Sequence, residues 1–328
     1  MALGDEGELV LSGGFGSGSK QPNTWVLTGK DWSGPSASPE RYYFGMVRRG
    51  DETLAVGGGI NQSTNEPTRD VLEWTSGENM WALRVDLALP EPRVGMAIAH
   101  DSGRKKTVVF GGRTDASRAT NDLLELDDTG TIWEPVEPTD PWPVPRTHHA
   151  MAYDPLHEIL VVFGGATDGP AAGVELGDTW IYDGARFRPV TATPAPRPMR
   201  GSAMVYDATA RRIVLFGGIA EGEFSLDTWE FDAEAEQWRN MEPAGVGTDD
   251  LSARGFSAIA YEPTRHGTVL FGGKSLSTVT WQYVVAGTPC GSDADCLYGL
   301  LCIDGLCCST PCSSGVCNAP ATPGTCVE

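Results

Sequence analysis

Six short apolar runs, each followed by a pair of glycines, recur along the chain at a spacing of roughly fifty residues. Each run is rich in Val, Leu or Phe without alternation, which predicts a short strand that is covered on both faces. The glycines permit a positive φ or a close backbone approach where that strand ends. The doublets begin at Gly13, Gly57, Gly111, Gly164, Gly217 and Gly272.

Other residues keep the same phase within these units. A small apolar run that ends in an aromatic residue and an acid precedes the central run, as in Ala150-Met-Ala-Tyr-Asp154. After the doublet come a variable loop, an alternating segment such as Asp178-Thr-Trp-Ile-Tyr182, and a further aromatic residue such as Phe187. These segments predict four short strands per unit. Such a unit cannot bury both faces alone, and radial stacking of several units can.

The apolar run with Gly-Gly and the two spaced aromatic residues resemble the kelch repeat over roughly residues 8 to 285. The resemblance implies an all-β fold, a kelch-type β-propeller with one repeat per four-stranded blade. A ring of six or seven blades is implied, and the six copies in this chain favour six. The last repeat has no fourth-strand aromatic after Thr280-Trp-Gln-Tyr283. We expect the first blade to lack its inner strand and the last blade to lack its outer strand.

A preceding stretch of roughly twenty residues would supply both of these strands, because strands average five or six residues. We therefore hypothesise that Met1 is not the natural start of the protein. The residues upstream would carry the two strands and, before them, an export signal.

The cysteines divide the chain into two predicted domains, a propeller at 1–286 and a small tail at 287–328. All eight lie in the last 39 residues, which contain few large apolar side chains and need another source of stability. Disulfides would supply it, whereas zinc would require Cys-x2-Cys pairs or interleaved His. The tail resembles cysteine-rich modules of exported bacterial proteins. The predicted disulfide cysteines are Cys290, Cys296, Cys302, Cys307, Cys308, Cys312, Cys317 and Cys326.

Disulfides persist in oxidising compartments, so the tail predicts a secreted or cell-surface protein. The first seven residues show neither the basic nor the apolar region of a signal peptide. The hypothesis of a missing upstream segment resolves this conflict.

The formal net charge of −20 excludes nucleic acid and anionic membranes as favoured partners, since both attract a basic face. No apolar run approaches the ~18 residues of a membrane span. We expect a monomer with no cofactor.

Three kinds of residue could bind a ligand at the mouth of the propeller channel. The first is an arginine near the start of each unit after the first, which suits a carboxylate or phosphate or else pairs with an acid of its own unit. The others are a His pair, which lies on opposite faces of any regular strand, and a Trp in a Pro-rich loop. The candidates are Arg41, Arg93, Arg146, Arg200, Arg254, His148, His149 and Trp142.

The favoured function is non-enzymatic recognition of a protein or a glycan on the propeller face. The alternative is a carbohydrate-active enzyme, similar to a sugar epimerase or mutarotase, with its site at the channel mouth. A copper-radical oxidase of the galactose oxidase type needs a Tyr–Cys cross-link, and the propeller region contains no cysteine. We predict no catalytic residue and no metal ligand.

Overall fold

The chain folds into antiparallel sheets of consecutive strands, as a computed structural model of the protein shows. Within each sheet of three or four strands, the strands pair in chain order, so each sheet is a meander. The structure describes residues 1–16, 19–20, 23–29, 31–37, 40–61, 66–114, 118–168, 173–241, 253–273, 280–283, 301–303 and 306–308.

Five sheets have four strands each and form the complete blades of an all-β propeller. Blade 1 consists of Ala2–Leu3, Leu9–Ser12, Asn23–Thr28 and Asp31–Ala37. Blade 2 consists of Gly45–Arg49, Glu52–Val56, Val71–Thr75 and Met80–Leu83. Blade 3 consists of Ala97–Asp101, Lys106–Phe110, Leu123–Asp127 and Glu134–Val136. Blade 4 consists of Ala150–Asp154, Ile159–Phe163, Thr179–Tyr182 and Phe187–Val190. Blade 5 consists of Ala203–Asp207, Arg212–Phe216, Thr228–Asp232 and Gln237–Asn240.

The sixth repeat forms a three-stranded sheet, called sheet 6, from Ala258–Glu262, Gly267–Phe271 and Thr280–Tyr283. The structure therefore shows five complete blades, which corrects the prediction of six. Sheet 6 has three strands within the described residues, and the residues that follow Tyr283 up to 300 lie outside them, so the lack of an outer strand in the last blade remains a prediction.

The prediction that the first blade lacks its inner strand is wrong. Ala2–Leu3 pairs antiparallel with the next strand of blade 1, and Ala2 lies opposite Val10. This strand has only two residues and no arginine before it, so neither marker of the other inner strands is present.

The glycine doublets have positive φ at both positions in all six repeats, as predicted. In the first five repeats the N–H of the first glycine donates to the carbonyl at the start of its own third strand, as Gly164 does to Asp178 at 3.1 Å. A Cβ atom on Gly164 would lie 2.6 Å from the Met199 carbonyl oxygen. No other residue fits here without a shift of the backbone.

The inner strands contact one another in chain order, and that of sheet 6 contacts that of blade 1. A hydrogen bond at the rim repeats the same pattern. In it, a Trp Nε1 of an outer strand donates to a Thr Oγ1 on the third strand of the preceding sheet. The distances are 2.9 Å for Trp81 to Thr24, 2.9 Å for Trp238 to Thr179, and 2.7 Å for Trp32 to Thr280. Because the last of these joins blade 1 to sheet 6, the ring is closed.

The hydrophobic core consists of layers between neighbouring sheets. The central strands supply most of it, and Val108, Val161 and Leu54 are fully buried. Trp133 and Trp238 fill the layers near the rim and are also buried.

Shorter elements complete the described structure. Three hairpins follow glycine doublets, another lies in the tail, and there are two 3-10 turns. The hairpins are Phe15–Gly16 with Ser19–Lys20, Gly59–Asn61 with Glu66–Pro67, Ile219–Ala220 with Glu223–Phe224, and Leu301–Ile303 with Leu306–Cys308. The 3-10 turns are Val85–Leu87 and Pro263–Arg265. Among the described residues, no helix has the length and apolar character that a bilayer crossing requires.

Candidate functional site

The arginines that begin the repeats lie just before the inner strands. Their backbone carbonyls accept a hydrogen bond from the N–H of the second glycine of the preceding doublet. The Gly112 N–H donates to the Arg146 carbonyl at 2.9 Å, and the Gly58 N–H donates to the Arg93 carbonyl at 2.8 Å. We call this place in each repeat the anchor position. It is occupied by Arg41, Arg93, Arg146, Met199 and Arg254.

The anchor arginine of blade 4 is fully buried and bonded within its own blade. Arg146 donates to the Gly164 carbonyl at 3.0 Å and to both carboxylate oxygens of Asp178 at 2.8 and 2.7 Å. Burial alone would raise the pKa of Asp178, but its hydrogen bonds with Arg146 outweigh this and hold the pKa below its ordinary value. Arg146 therefore fastens the end of the second strand to the start of the third.

Three further anchor arginines make bonds of the same kind. Arg93 holds both oxygens of Asp122 at 2.6 Å, and Arg41 reaches one oxygen of Asp70 at 3.3 Å. Arg254 is also buried and donates to the Gly272 carbonyl at 3.2 Å. Of the two alternatives that the sequence left open, Arg41, Arg93 and Arg146 therefore show pairing with an acid of their own unit.

Repeat five departs from the pattern. Met199 occupies its anchor position and is buried, and its carbonyl accepts from the Gly165 N–H at 2.9 Å. The acid before the third strand is Asp227, and its carboxylate instead lies 3.4 Å from Nε of Arg197. Both side chains of this pair are partly exposed.

Arg200 lies one residue beyond the anchor and does not bond to the acid before the third strand of its blade. Its guanidinium forms a 2.7 Å ion pair with Glu175, whose other carboxylate oxygen accepts from the Glu221 N–H at 2.6 Å. The side chain of Arg200 keeps 21% of its surface exposed. Its side chain is the most exposed among the five predicted arginines.

The second residue after each anchor forms a chain of backbone hydrogen bonds around the mouth. All five such residues have φ between 52° and 66°, in the left-handed region. Each N–H after the first donates to the carbonyl of the preceding member, at 2.7 to 3.0 Å. The members are Tyr43, Gly95, His148, Gly201 and Phe256.

Three aromatic rings of this chain meet, and we call Tyr43, His148 and Phe256 the mouth cluster. The ring centroids lie 4.7 Å apart for Tyr43 and His148, 4.9 Å for Tyr43 and Phe256, and 5.3 Å for His148 and Phe256. The intervening glycines make room, since a Cβ on Gly201 would lie 2.8 Å from the Phe256 ring. Tyr43 is 41% exposed, so an aromatic surface faces solvent at the mouth.

Burial in this cluster, together with Arg113 and Arg200, lowers the pKa of His148 to about 4. The imidazole is therefore neutral at physiological pH. Arg113 follows the third doublet and is held by reciprocal backbone hydrogen bonds with Val94 at 2.8 and 3.0 Å. The mouth thus combines exposed aromatic surface with two guanidinium groups.

Comparison with known proteins identifies the repeat. A sequence model of the KLHDC2/KLHL20/DRC7 Kelch-repeats domain matches residues 44–273, which is more than half of the chain. The chain belongs to the kelch-repeat family.

Several known proteins match parts of the chain. Host cell factor 1 of Rattus norvegicus is 30% identical over 238 residues, which are 66% of this chain and 11% of that protein. The host cell factor homolog hcf-1 of Caenorhabditis elegans is 23% identical over 245 residues, 64% of this chain and 30% of that protein. Dynein regulatory complex subunit 7 of Chlamydomonas reinhardtii is 34% identical over 119 residues, 35% of this chain and 10% of that protein. The chain therefore spans less than a third of the length of these relatives.

Two further predicted site residues, His149 and Trp142, do not belong to the mouth cluster. The ring of His149 lies against Phe110 at 5.3 Å, on the other side of the backbone from the mouth cluster that holds His148. Trp142 donates to the Asn121 carbonyl at 2.7 Å and packs edge-on against Phe187, partly buried between blades 3 and 4. The ligand role predicted for Trp142 remains a prediction.

Sequence reasoning missed Tyr43, Phe256 and Arg113. A signal for the first two was present, because aligning the repeats at the anchor gives Tyr, Gly, His, Gly and Phe two positions later. That alternation of large residues with glycine could have identified the mouth cluster.

The predicted disulfides lie outside the described residues, apart from Cys302, Cys307 and Cys308 in the tail hairpin. The bridges and the boundary at 287 therefore remain predictions. In the part of the chain that the structure describes, no group of three or more His, Cys, Asp or Glu is arranged to hold a metal ion.

Proposed function

We propose that this kelch propeller is a protein-recognition module that binds a segment of a partner protein at the mouth, across Tyr43, Arg113 and Arg200. The observation that carries the proposal is that Arg200 does not occupy the anchor position of blade 5. Met199 occupies the buried anchor in its place, and Arg200 pairs with Glu175 and acts electrostatically on His148 and Tyr43 of the mouth cluster. Blade 5 therefore lacks the buried cation of the other blades, and we infer that recognition of a ligand accounts for the change.

The chemistry of the mouth suggests the character of the segment. Arginine binds a carboxylate through two parallel hydrogen bonds, and exposed aromatic rings are enriched at protein interfaces. An acidic residue next to apolar side chains would therefore complement this surface. The net charge of −20 makes the guanidinium groups distinctive, since most of the remaining surface repels an acidic partner.

The family supports a protein as the ligand, because kelch propellers are typical protein–protein interaction modules. One relative is, by its name, a subunit of a complex. We propose that the chain acts as a monomer, since its ring closes through contacts within one molecule.

We further propose that the protein is exported or displayed at the cell surface. This rests on the eight cysteines of the tail, which would form stable bridges only in an oxidising compartment. Mass spectrometry of the non-reduced protein from its native source tests this point. Eight free thiols in that material would contradict export.

Site-specific photo-cross-linking tests recognition at the mouth. A benzophenone amino acid at Tyr43 should give a covalent adduct with a partner in the native source. The same group at Ile132, which is 75% exposed at the rim, is the matched control and should give none. Adding Arg200→Glu should abolish the Tyr43 adduct. An adduct that resists protease and is cleaved by glycosidases would identify a glycan, and adducts only at Ile132 would overturn the proposal.

A further inference from the structure

The mouth cluster contains a buried ring nitrogen with no partner. Nε2 of His148 is shielded from solvent and has no hydrogen-bond partner among the described residues. It lies over Gly95, where a Cβ atom would approach it to 3.0 Å. Because buried polar atoms are nearly always bonded, such an atom calls for an explanation.

The neighbouring hydroxyl suggests which nitrogen of His148 carries the proton. Oγ1 of Thr147 lies 3.2 Å from the Gly95 carbonyl oxygen and 3.3 Å from His148 Nδ1. We assign the hydrogen to Nδ1, because only this tautomer lets the hydroxyl donate to the carbonyl and accept from the imidazole at once. Nε2 is then a bare acceptor, and a group that binds there must bring a donor.

The surroundings restrict what that donor can be. Arg113 and Arg200 both act on His148, and their positive charge disfavours an ammonium or a guanidinium at the same place. A carboxylate has no hydrogen to donate. Nε of Arg113 is itself buried, with no acceptor in the described part of the chain. His148 Nε2 and Arg113 Nε are thus two buried polar atoms that have no partner in the described residues.

We propose that His148 Nε2 determines the specificity of the mouth by accepting a hydrogen bond from a side-chain carboxamide, an Asn or Gln of the bound segment. The carboxamide N–H would bind Nε2, and its oxygen would accept from Arg113. This inference rests on the proposed function, because the carboxamide belongs to the partner segment that binds there.

Tyr43 is the exposed neighbour of this imidazole. Its ring lies edge-on against the imidazole at 4.7 Å, and it is the member of the mouth cluster that is extensively exposed. The Phe256 ring also contacts the imidazole, at 5.3 Å. In this proposal the exposed Tyr43 side chain rotates to admit the carboxamide to Nε2.

NMR of the full chain labelled with 15N-histidine tests the inference directly. The unliganded protein should show His148 protonated at Nδ1 and bare at Nε2. Acetamide should shift the Nε2 resonance toward that of a hydrogen-bonded nitrogen, whereas acetate and methylammonium at equal concentration should not. His157 is the internal control and should not respond. Its Nδ1 lies 2.7 Å from a carboxylate oxygen of Asp154, and it is not part of the mouth cluster.

Two variants sharpen the test. His148→Phe keeps an aromatic ring and removes the acceptor. It should weaken acetamide binding, followed through the Phe256 resonances, by about fivefold or more, the equivalent of one neutral hydrogen bond. Tyr43→Ala should strengthen binding, because it uncovers the site. If His148→Phe does not fold, the titration of the unmodified chain and of Tyr43→Ala still decides the matter.

Three results would overturn the inference. The first is a proton on Nε2 in the unliganded chain. The second is an Nε2 resonance that is already hydrogen-bonded and insensitive to acetamide, which indicates an internal water. The third is an equal response at His157. Cross-linking at Tyr43 is independent of these results, so its persistence without an acetamide response would refute the carboxamide inference alone.

Discussion

Arg146 of blade 4 and Met199 of blade 5 occupy the same place in their repeats, and each carbonyl accepts a hydrogen bond of 2.9 Å from a glycine of the preceding blade. In blade 4 the side chain is a buried cation that holds the Asp178 carboxylate with two bonds. In blade 5 it is an apolar thioether, and Arg197 approaches Asp227 at the surface. The fold requires the backbone contact at the anchor, whereas the charge there is optional. A repeat that gives up the charge can place an arginine at the mouth.

The largest expected effect follows from removing the buried cation. Arg146→Met should reduce the free energy of unfolding by about 3 kcal/mol, because the Gly164 carbonyl loses its donor and the Asp178 carboxylate, which is 37% exposed, loses two charge-assisted hydrogen bonds. The matched control, Arg197→Met, should reduce it by about 1 kcal/mol or less, since that pair is half-exposed. Urea unfolding measures both variants. Equal losses would mean that the two blades do not differ in the way described.

Acid should break the bonds between Arg146 and Asp178 in blade 4. It should not break the backbone hydrogen bond at the blade 5 anchor, which has no titratable group. The folded pKa of Asp178 lies below its ordinary 3.8, so the folded state binds fewer protons than the unfolded state. Its contribution is present in full above that value and is lost as the pH falls through the folded pKa. Urea unfolding between pH 7 and pH 2 should show a flatter pH dependence for Asp178→Asn than for the unmodified protein. Identical pH profiles would contradict this account.

A smaller effect is expected from transplanting the blade 4 arrangement into blade 5. The double variant Met199→Arg with Arg197→Ala should keep the free energy of unfolding within about 1 kcal/mol, because the new cation can pair with Asp227. Adding Asp227→Ala to it should remove about 3–5 kcal/mol, since the buried charge then has no partner. Loss of folding in the double variant itself would show that blade 5 cannot accommodate the charged anchor.

The smallest effect on stability is expected at the mouth. Arg200→Ala breaks a partly exposed pair with Glu175 and should change the free energy of unfolding by less than about 1 kcal/mol. The same variant should nevertheless abolish cross-linking from Tyr43. A large loss of stability would assign Arg200 to the blade rather than to recognition.

The repeat pattern in the sequence predicted the strands and their order because each doublet marks the same point in every unit. Gly57 and Gly164 have the positive φ that this pattern required. The strand Ala2–Leu3 could not be predicted in this way. It has two residues, and its place depends on pairing with Leu9 and Val10 and on packing against neighbouring blades.

The candidate site was predictable only in part. The sequence grouped Arg200 with the other arginines near the start of each unit. It could not show that Met199 takes the buried anchor, since that depends on the hydrogen bond from Gly165. The mouth cluster brings together Tyr43, His148 and Phe256, which lie far apart in the chain. Only closure of the ring places their rings in contact.

The bond between Trp32 and Thr280 spans 248 positions of sequence. A ribosome must therefore synthesise nearly the whole propeller before blade 1 can meet its last neighbour. Until then, the growing polypeptide keeps one flank of its first blade uncovered, and such flanks are prone to aggregation. Biogenesis of this protein should accordingly depend on holding chaperones for longer than that of proteins whose contacts are local in sequence.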